Sequence, residues 1–217
     1  MSVLCPLLPH FAQSVCRIPT VLYANVKYIA SMAKKTAILL IAEGSEEMEA
    51  VITADVLRRA GVEVTVTGLT EDLCVKCSRD VKICADAKLQ DAINQKFDVV
   101  IMPGGLGGSK AFISSAEVGK LLQQQEKENR LIAAICAAPT ALKAHGIAKG
   151  KKITSYPAMK DELKDDYNYL EDKVVTDGNL ITSRGPATAF AFGLAIVEKL
   201  VDKDTADNVA KAMLYAE

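Results

Sequence analysis

Tryptophan is absent from this 217-residue chain, histidine occurs only twice, and aromatic residues make up 5% of it. Aromatic platforms on which single-stranded nucleic acid could stack are therefore not available. Basic charge is not in excess: 26 Lys and Arg stand against 27 Asp and Glu, a net charge of −1. A chain so balanced has no basic field to hold nucleic acid or an acidic membrane surface. No uncharged apolar run reaches the roughly 18 residues that a membrane-spanning helix requires. The 13 Gly and 7 Pro follow no repeat, which excludes a collagen-like protein. With half of its residues apolar, the chain carries enough hydrophobic mass for one sizeable domain rather than a disordered polymer.

Six cysteines lie at positions 5, 16, 74, 77, 84 and 136. A domain of this size folds on its own core without disulfides, so they are read as reduced thiols of an intracellular protein. Cys74 and Cys77 form a Cys-x-x-Cys pair, but no second pair with zinc spacing accompanies it, and no metal site is expected. The pair lies in a polar, turn-like stretch rather than at a strand-to-helix junction, so a thioredoxin-type role is not indicated either. The first 35 residues contain Arg17, Lys27, Lys34 and Lys35 and no acid, interrupted by Pro6, Pro9 and Pro19. Residues 1–33 read as a flexible extension, with organelle targeting as the other reading. Residues 34–217 read as one domain.

From Thr36 the pattern is regular. Residues 36–42 (TAILLIA) and 98–102 (DVVIM) are short apolar runs of the kind buried on both faces of a sheet, and 131–135 (LIAAI) is another. Residues 45–60 place Met48, Val51, Ile52, Val56 and Leu57 near helical spacing, and Gly61 follows as a C-terminal cap. Further helices are expected over 115–129, 139–144, 187–201 and 205–215, and strands over 62–67, 153–154, 173–176 and 179–182. Alternating strands and helices predict an α/β fold with a mostly parallel sheet covered on both faces, and ligands at the carboxyl ends of its strands.

Cys136 ends the apolar strand LIAAI and is flanked by Ala134, Ala137 and Ala138. A nucleophile on a sharp strand-to-helix turn needs such small neighbours. A helix N-terminus beside the sulfur would lower the thiol pKa from its free value of about 8.5. A buried, inert core thiol is the bland alternative. Pro103-Gly104-Gly105 ends the neighbouring strand, and backbone N–H groups at Gly104 and Gly105 suit an oxyanion hole or simply a tight turn. Glu46, Glu47 and Glu49 follow the first strand. Acids in a first helical turn usually just complement the macrodipole, but Glu49 shares the inward face with Ile52 and Val56, where a carboxyl has a raised pKa. His145 is the one histidine beyond the leader. A Cys-His peptidase would have to use it.

The stretches EGSEEMEAV, VLRRAGVEVTV, CSRDVKIC, DVVIMPGG, LIAAICAAPTAL and ITSRGP are spread over the whole domain. In these the chain resembles the animal parkinsonism-associated deglycases, the DJ branch of the ThiJ/PfpI superfamily. The resemblance implies a flavodoxin-like three-layer sandwich, similar to class I glutamine amidotransferases, that forms homodimers. It implies that Cys136 is the reactive residue, that Glu49 hydrogen-bonds it, and that Gly104 and Gly105 supply backbone donors. Arg59, Arg79 and Pro186 match residues around an anion-accepting pocket, and Cys77 and Cys84 match secondary modifiable cysteines. The implied activities are peroxide sensing through Cys136 and cofactor-independent glyoxalase or deglycase chemistry on small dicarbonyls or glycated amines. A redox-regulated chaperone acting on protein clients is the non-enzymatic alternative. The implied compartments are cytoplasm, nucleus and mitochondrion. One departure stands out: Tyr156 occupies a segment where the family commonly has a histidine.

Overall fold

The computed structural model describes residues 34–215. The expected extension over residues 1–33, with Cys5, Cys16 and His10, lies outside the described residues. The central sheet is built from β1 (Thr36–Ile41), β2 (Glu63–Gly68), β5 (Ala87–Lys88), β6 (Val99–Met102), β7 (Leu131–Ile135), β10 (Val174–Asp177) and β11 (Leu180–Ser183). Their spatial order is β10-β11-β7-β6-β1-β2-β5. Every neighbouring pair is parallel except β10 with β11.

The three apolar runs of the sequence occupy the middle of this sheet, and the pleat divides their side chains between two cores. Ala37, Leu39 and Ile41 of β1 face one side with Val99, Ile101, Leu131, Ala133 and Ile135. Ile38 and Leu40 face the other with Val100, Met102, Ile132 and Ala134. The first side is covered by α1 (Glu47–Arg59), α7 (Ala189–Leu200) and α8 (Lys203–Ala212). The second is covered by α2 (Leu89–Ala92), α3 (Leu106–Ser114), α4 (Ala116–Lys127), α5 (Pro139–Ala144) and α6 (Lys160–Leu163). Each fully buried Leu or Ile here contributes roughly 2 kcal/mol. The three-layer α/β sandwich expected from the sequence is the fold observed.

Gly61 ends α1 at φ +79°, as a left-handed cap should. Two elements differ from the sequence reading. The polar stretch after β2 is not an open turn: β3 (Cys74–Lys76) and β4 (Lys82–Cys84) pair as an antiparallel hairpin. Helix α3 follows the glycine turn directly, although Gly107 and Gly108 are poor helix formers. Close approach explains those glycines. A Cβ on Gly107 would stand 2.7 Å from the Glu43 carbonyl oxygen, and one on Gly108 would stand 2.4 Å from Ser45 Oγ. Packing against the loop before α1 outweighs the loss of propensity. Short strands β8 (Lys152–Ile153) and β9 (Asn168–Tyr169) pair with each other in parallel. Among the described residues, no helix is long and apolar enough to cross a membrane.

Candidate active site

β1, β6 and β7 run parallel, so their carboxyl ends meet at one edge. Each delivers one component there. β7 delivers Cys136, whose φ is +65°. A left-handed conformation costs a non-glycine residue about 1–2 kcal/mol. Two hydrogen bonds hold it: Cys136 N–H donates to the Ser183 carbonyl at 2.9 Å, and Tyr156 N–H donates to the Cys136 carbonyl at 2.8 Å. Ala134, Ala137 and Ala138 are buried around the elbow, as its tight geometry requires.

The loop after β1 leads into α1, whose first turn buries Glu49 completely. Its Oε2 accepts the Gly104 N–H at 2.6 Å. Its Oε1 is buried without a hydrogen-bond partner of its own. The same carboxyl group interacts with the Cys136 thiol. Burial pushes Glu49 up to about 7, against the opposing pull of the Gly104 N–H. Burial and the neighbouring Glu49 charge push the Cys136 thiol up to about 12, although the Gly105 and Ala137 N–H groups draw it the other way. These two groups form one titrating unit. It loses its first proton near neutrality, from the Glu49 carboxyl, and the proton that remains stays mainly on the sulfur.

This corrects two expectations. Cys136 is not a free-standing thiolate with a lowered pKa: the helix N-terminus is outweighed by burial and by Glu49. Gly104 and Gly105 do not form a paired oxyanion hole either. The Gly104 N–H is committed to Glu49, while Gly105 and Ala137 provide the donors facing the sulfur. Gly104 is nevertheless required, because a Cβ there would lie 2.5 Å from Cys136 Cβ and 2.9 Å from Glu49 Oε2. Gly105, at φ +82°, lies so close to the Gly44 carbonyl that a Cβ would stand only 2.2 Å from it.

The sulfur opens into a cavity of about 610 Å³ whose wall includes Ser78, Arg79, Leu106, Tyr156, Met159 and Pro186. Arg79 and Pro186 are thus where the resemblance puts them. Arg59 does not line this cavity within the single chain: it lies at the last turn of α1, about 15 Å of helix away from Glu49, where it pairs with Asp55 at 2.6 Å. Cys77 and Cys84 do not fit the role of open, modifiable thiols. Cys77 is buried and pushed up to about 11 by burial and by the charges of Glu47, Glu43 and Glu46. Cys84 is joined to Cys74 in a disulfide, which also overturns the reading of all cysteines as reduced. Its basis is the β3–β4 register, which puts the two residues opposite each other. His145 is occupied elsewhere, its Nε2 2.9 Å from the Phe112 carbonyl oxygen, so the peptidase reading loses its base.

Ser78 was not singled out by the sequence, yet it organises the wall. Its Oγ lies 2.6 Å from Glu46 Oε2 and 2.9 Å from Glu47 Oε2. Arg79 N–H donates to Glu47 Oε1 at 2.9 Å. The legible signal was three acids in one turn, more than a helix dipole needs.

Comparison with known proteins agrees with this geometry. The DJ-1/PfpI family pattern matches residues 35–199. The chain belongs to the DJ-1/PfpI family. It is 57% identical to Protein dj-1beta of Drosophila melanogaster over 183 residues, covering 84% of this chain and 98% of that protein. It is 41% identical to the glutathione-independent glyoxalase DJR-1.2 of Caenorhabditis elegans over 187 residues, covering 85% and 99%. The crystal structure of the Drosophila DJ-1beta superposes with a TM-score of 0.83 at 56% identity, covering 85% of this chain and all of the other.

Proposed function

We propose that the protein is a stress-protective thiol enzyme of the glyoxalase type, with Cys136 as nucleophile and Glu49 as its acid–base partner. The observation that carries this reading is the fully buried Glu49 carboxyl beside the Cys136 thiol, whose sulfur opens into the cavity. A carboxyl poised near 7 is matched to proton transfer at neutral pH. Cys136 Sγ attacks the aldehyde carbon of methylglyoxal. The S–C bond forms, the carbonyl π pair moves to oxygen, and the thiol proton passes to Glu49 and on to that oxygen. The Gly105 and Ala137 N–H groups, which face the sulfur, steady it as it gives up its proton. Glu49 then takes the proton from the former aldehyde carbon and returns it to the adjacent carbon, while the hydroxyl proton passes to the former ketone oxygen, leaving a thioester. Water hydrolyses this to lactate and restores the thiol. The balance is one dicarbonyl plus one water to one hydroxy acid, with no external cofactor. Deglycase activity on glycated amines would begin with the same addition. The name of the nematode relative supports the reaction type. Lactate formation from methylglyoxal should vanish in Cys136→Ser, and equal rates in the two proteins would refute the assignment.

The same pair favours peroxide sensing. Hydrogen peroxide transfers one oxygen to Cys136 with release of water, and a second equivalent gives the sulfinate. A protonated Glu49 would donate a hydrogen bond to that anion. Mild peroxide should add two oxygens at Cys136 alone, leaving the buried Cys77 unmodified. Action on protein clients belongs to this reading. A homodimer is part of the proposal: Met48 and Val51 of α1 are 51% and 54% exposed, a costly display for a lone subunit.

A further inference from the structure

The Cys74–Cys84 disulfide has no part in the chemistry above, and its position gives it a task of its own. It bridges the open ends of the β3–β4 hairpin. The tip of that hairpin, residues 77–80, is the wall of the Cys136 cavity on the α1 side. Five contacts fasten the tip and the end of β3 to the segment carrying the acids. Gly44 N–H donates to the Lys76 carbonyl at 2.8 Å, and Ser78 N–H donates to the Ser45 carbonyl at 2.8 Å. The Ser78 hydroxyl meets Glu46 and Glu47, and Arg79 N–H donates to Glu47. Two strands of three residues each are too short to fix a hairpin by themselves. The covalent link therefore acts together with these contacts in setting how firmly Ser78 and Arg79 are presented.

We propose that Cys74 and Cys84 form a reversible dithiol–disulfide couple, exchanging with small thiols, that sets the rigidity of the cavity wall around Cys136. Both residues are exposed, and exchange needs access to only one of the two sulfurs. A small thiolate attacks Cys84 Sγ. The S–S bond breaks, Cys74 leaves as thiolate and is protonated, and a mixed disulfide remains on Cys84. A second thiol attacks the mixed disulfide and frees Cys84. One protein disulfide and two small thiols become one dithiol and one small disulfide. Excess small disulfide drives the reverse.

The test uses the full chain, equilibrated with reduced or oxidised glutathione as the probe. Thiols are alkylated and located by mass spectrometry, and amide exchange is followed over residues 74–84 and 43–49. Oxidised protein should protect Cys74 and Cys84 together, and reduced protein should label both. Opening the pair should speed exchange of the hairpin by about 10-fold to 100-fold, the scale on which a short disulfide loop constrains a chain. It should also raise the Cys136 alkylation rate severalfold. Cys74→Ser in oxidising buffer should behave as the reduced protein does, and reduced wild type supplies the same comparison without a substitution. Independent labelling of Cys74 and Cys84 after oxidation would overturn the proposal. So would a pair that closes while hairpin exchange and Cys136 reactivity stay unchanged. None of these readouts uses methylglyoxal, so a failure of turnover leaves the result interpretable.

Discussion

Glu49→Gln removes the proton acceptor from the pair while keeping the shape of the side chain and an oxygen for the Gly104 N–H. In wild type the pair loses its first proton near pH 7, the value to which burial lifts Glu49. Below that pH the carboxyl is already protonated and cannot take the thiol proton. Above it the carboxylate is free to do so. Alkylation of Cys136 by iodoacetamide should therefore rise about tenfold per pH unit below 6 and level off above 8. In the Gln variant the sulfur must ionise alone. The Glu49 charge no longer holds its pKa up, but burial, the largest cause of the shift, still does. A thiol whose pKa stays at about 9 or higher is at most roughly 1% ionised at pH 7. Between pH 7 and 9 the variant's rate should therefore climb about 100-fold, tenfold per unit, where wild type levels off. Its rate should keep climbing to pH 9 without a plateau. The assay is stopped-flow or quenched alkylation between pH 5 and 9, with Cys136→Ser as the blank. A Gln variant that retained a plateau with its midpoint near 7 would refute the assignment of that ionisation to Glu49.

Two further outcomes follow from the same corner of the fold. Glu49 is raised from an unfolded value of 4.5 to about 7, so the folded state holds a proton that the unfolded state gives up between those values. Its contribution is fully present below about pH 4.5 and is lost as pH rises through 7, a swing of roughly 3 kcal/mol. Denaturant titrations should show Glu49→Gln gaining stability on wild type as pH goes from 5 to 8, and parallel pH curves would contradict this. Gly104→Ala forces a methyl group into space shared by Cys136 and Glu49. It should cost about 2 kcal/mol of stability by overpacking and slow Cys136 alkylation together. An unchanged melting temperature and rate would show that the turn yields more easily than its contacts imply.

The sheet was legible because burial on both faces leaves an unmistakable mark. In β1, β6 and β7 nearly every residue is apolar, and the pleat has only to divide them. The elbow was legible because Ala134, Ala137 and Ala138 around Cys136 satisfy a steric demand that few other sequences would. The β3–β4 hairpin was hidden because it draws its order from a covalent bond and from acids 30 residues away, not from its own periodicity. Helix α3 was hidden because Gly107 and Gly108 answer to a neighbouring loop. The direction of the Cys136 shift was misread for a related reason. Local sequence shows the helix end beside the sulfur, but neither the depth of its burial nor the carboxylate 87 positions earlier in the chain.

The Cys136 N–H reaches across to the carbonyl of Ser183, the last residue of β11. The catalytic bend is thus completed by a piece of chain that leaves the ribosome long after the cysteine itself. Until that late strand docks beside β7, the bend lacks one of its two hydrogen bonds and keeps only the one from Tyr156 N–H. The pairing of sulfur with carboxyl is thus a property of the finished sheet, and not of the strand that carries the cysteine.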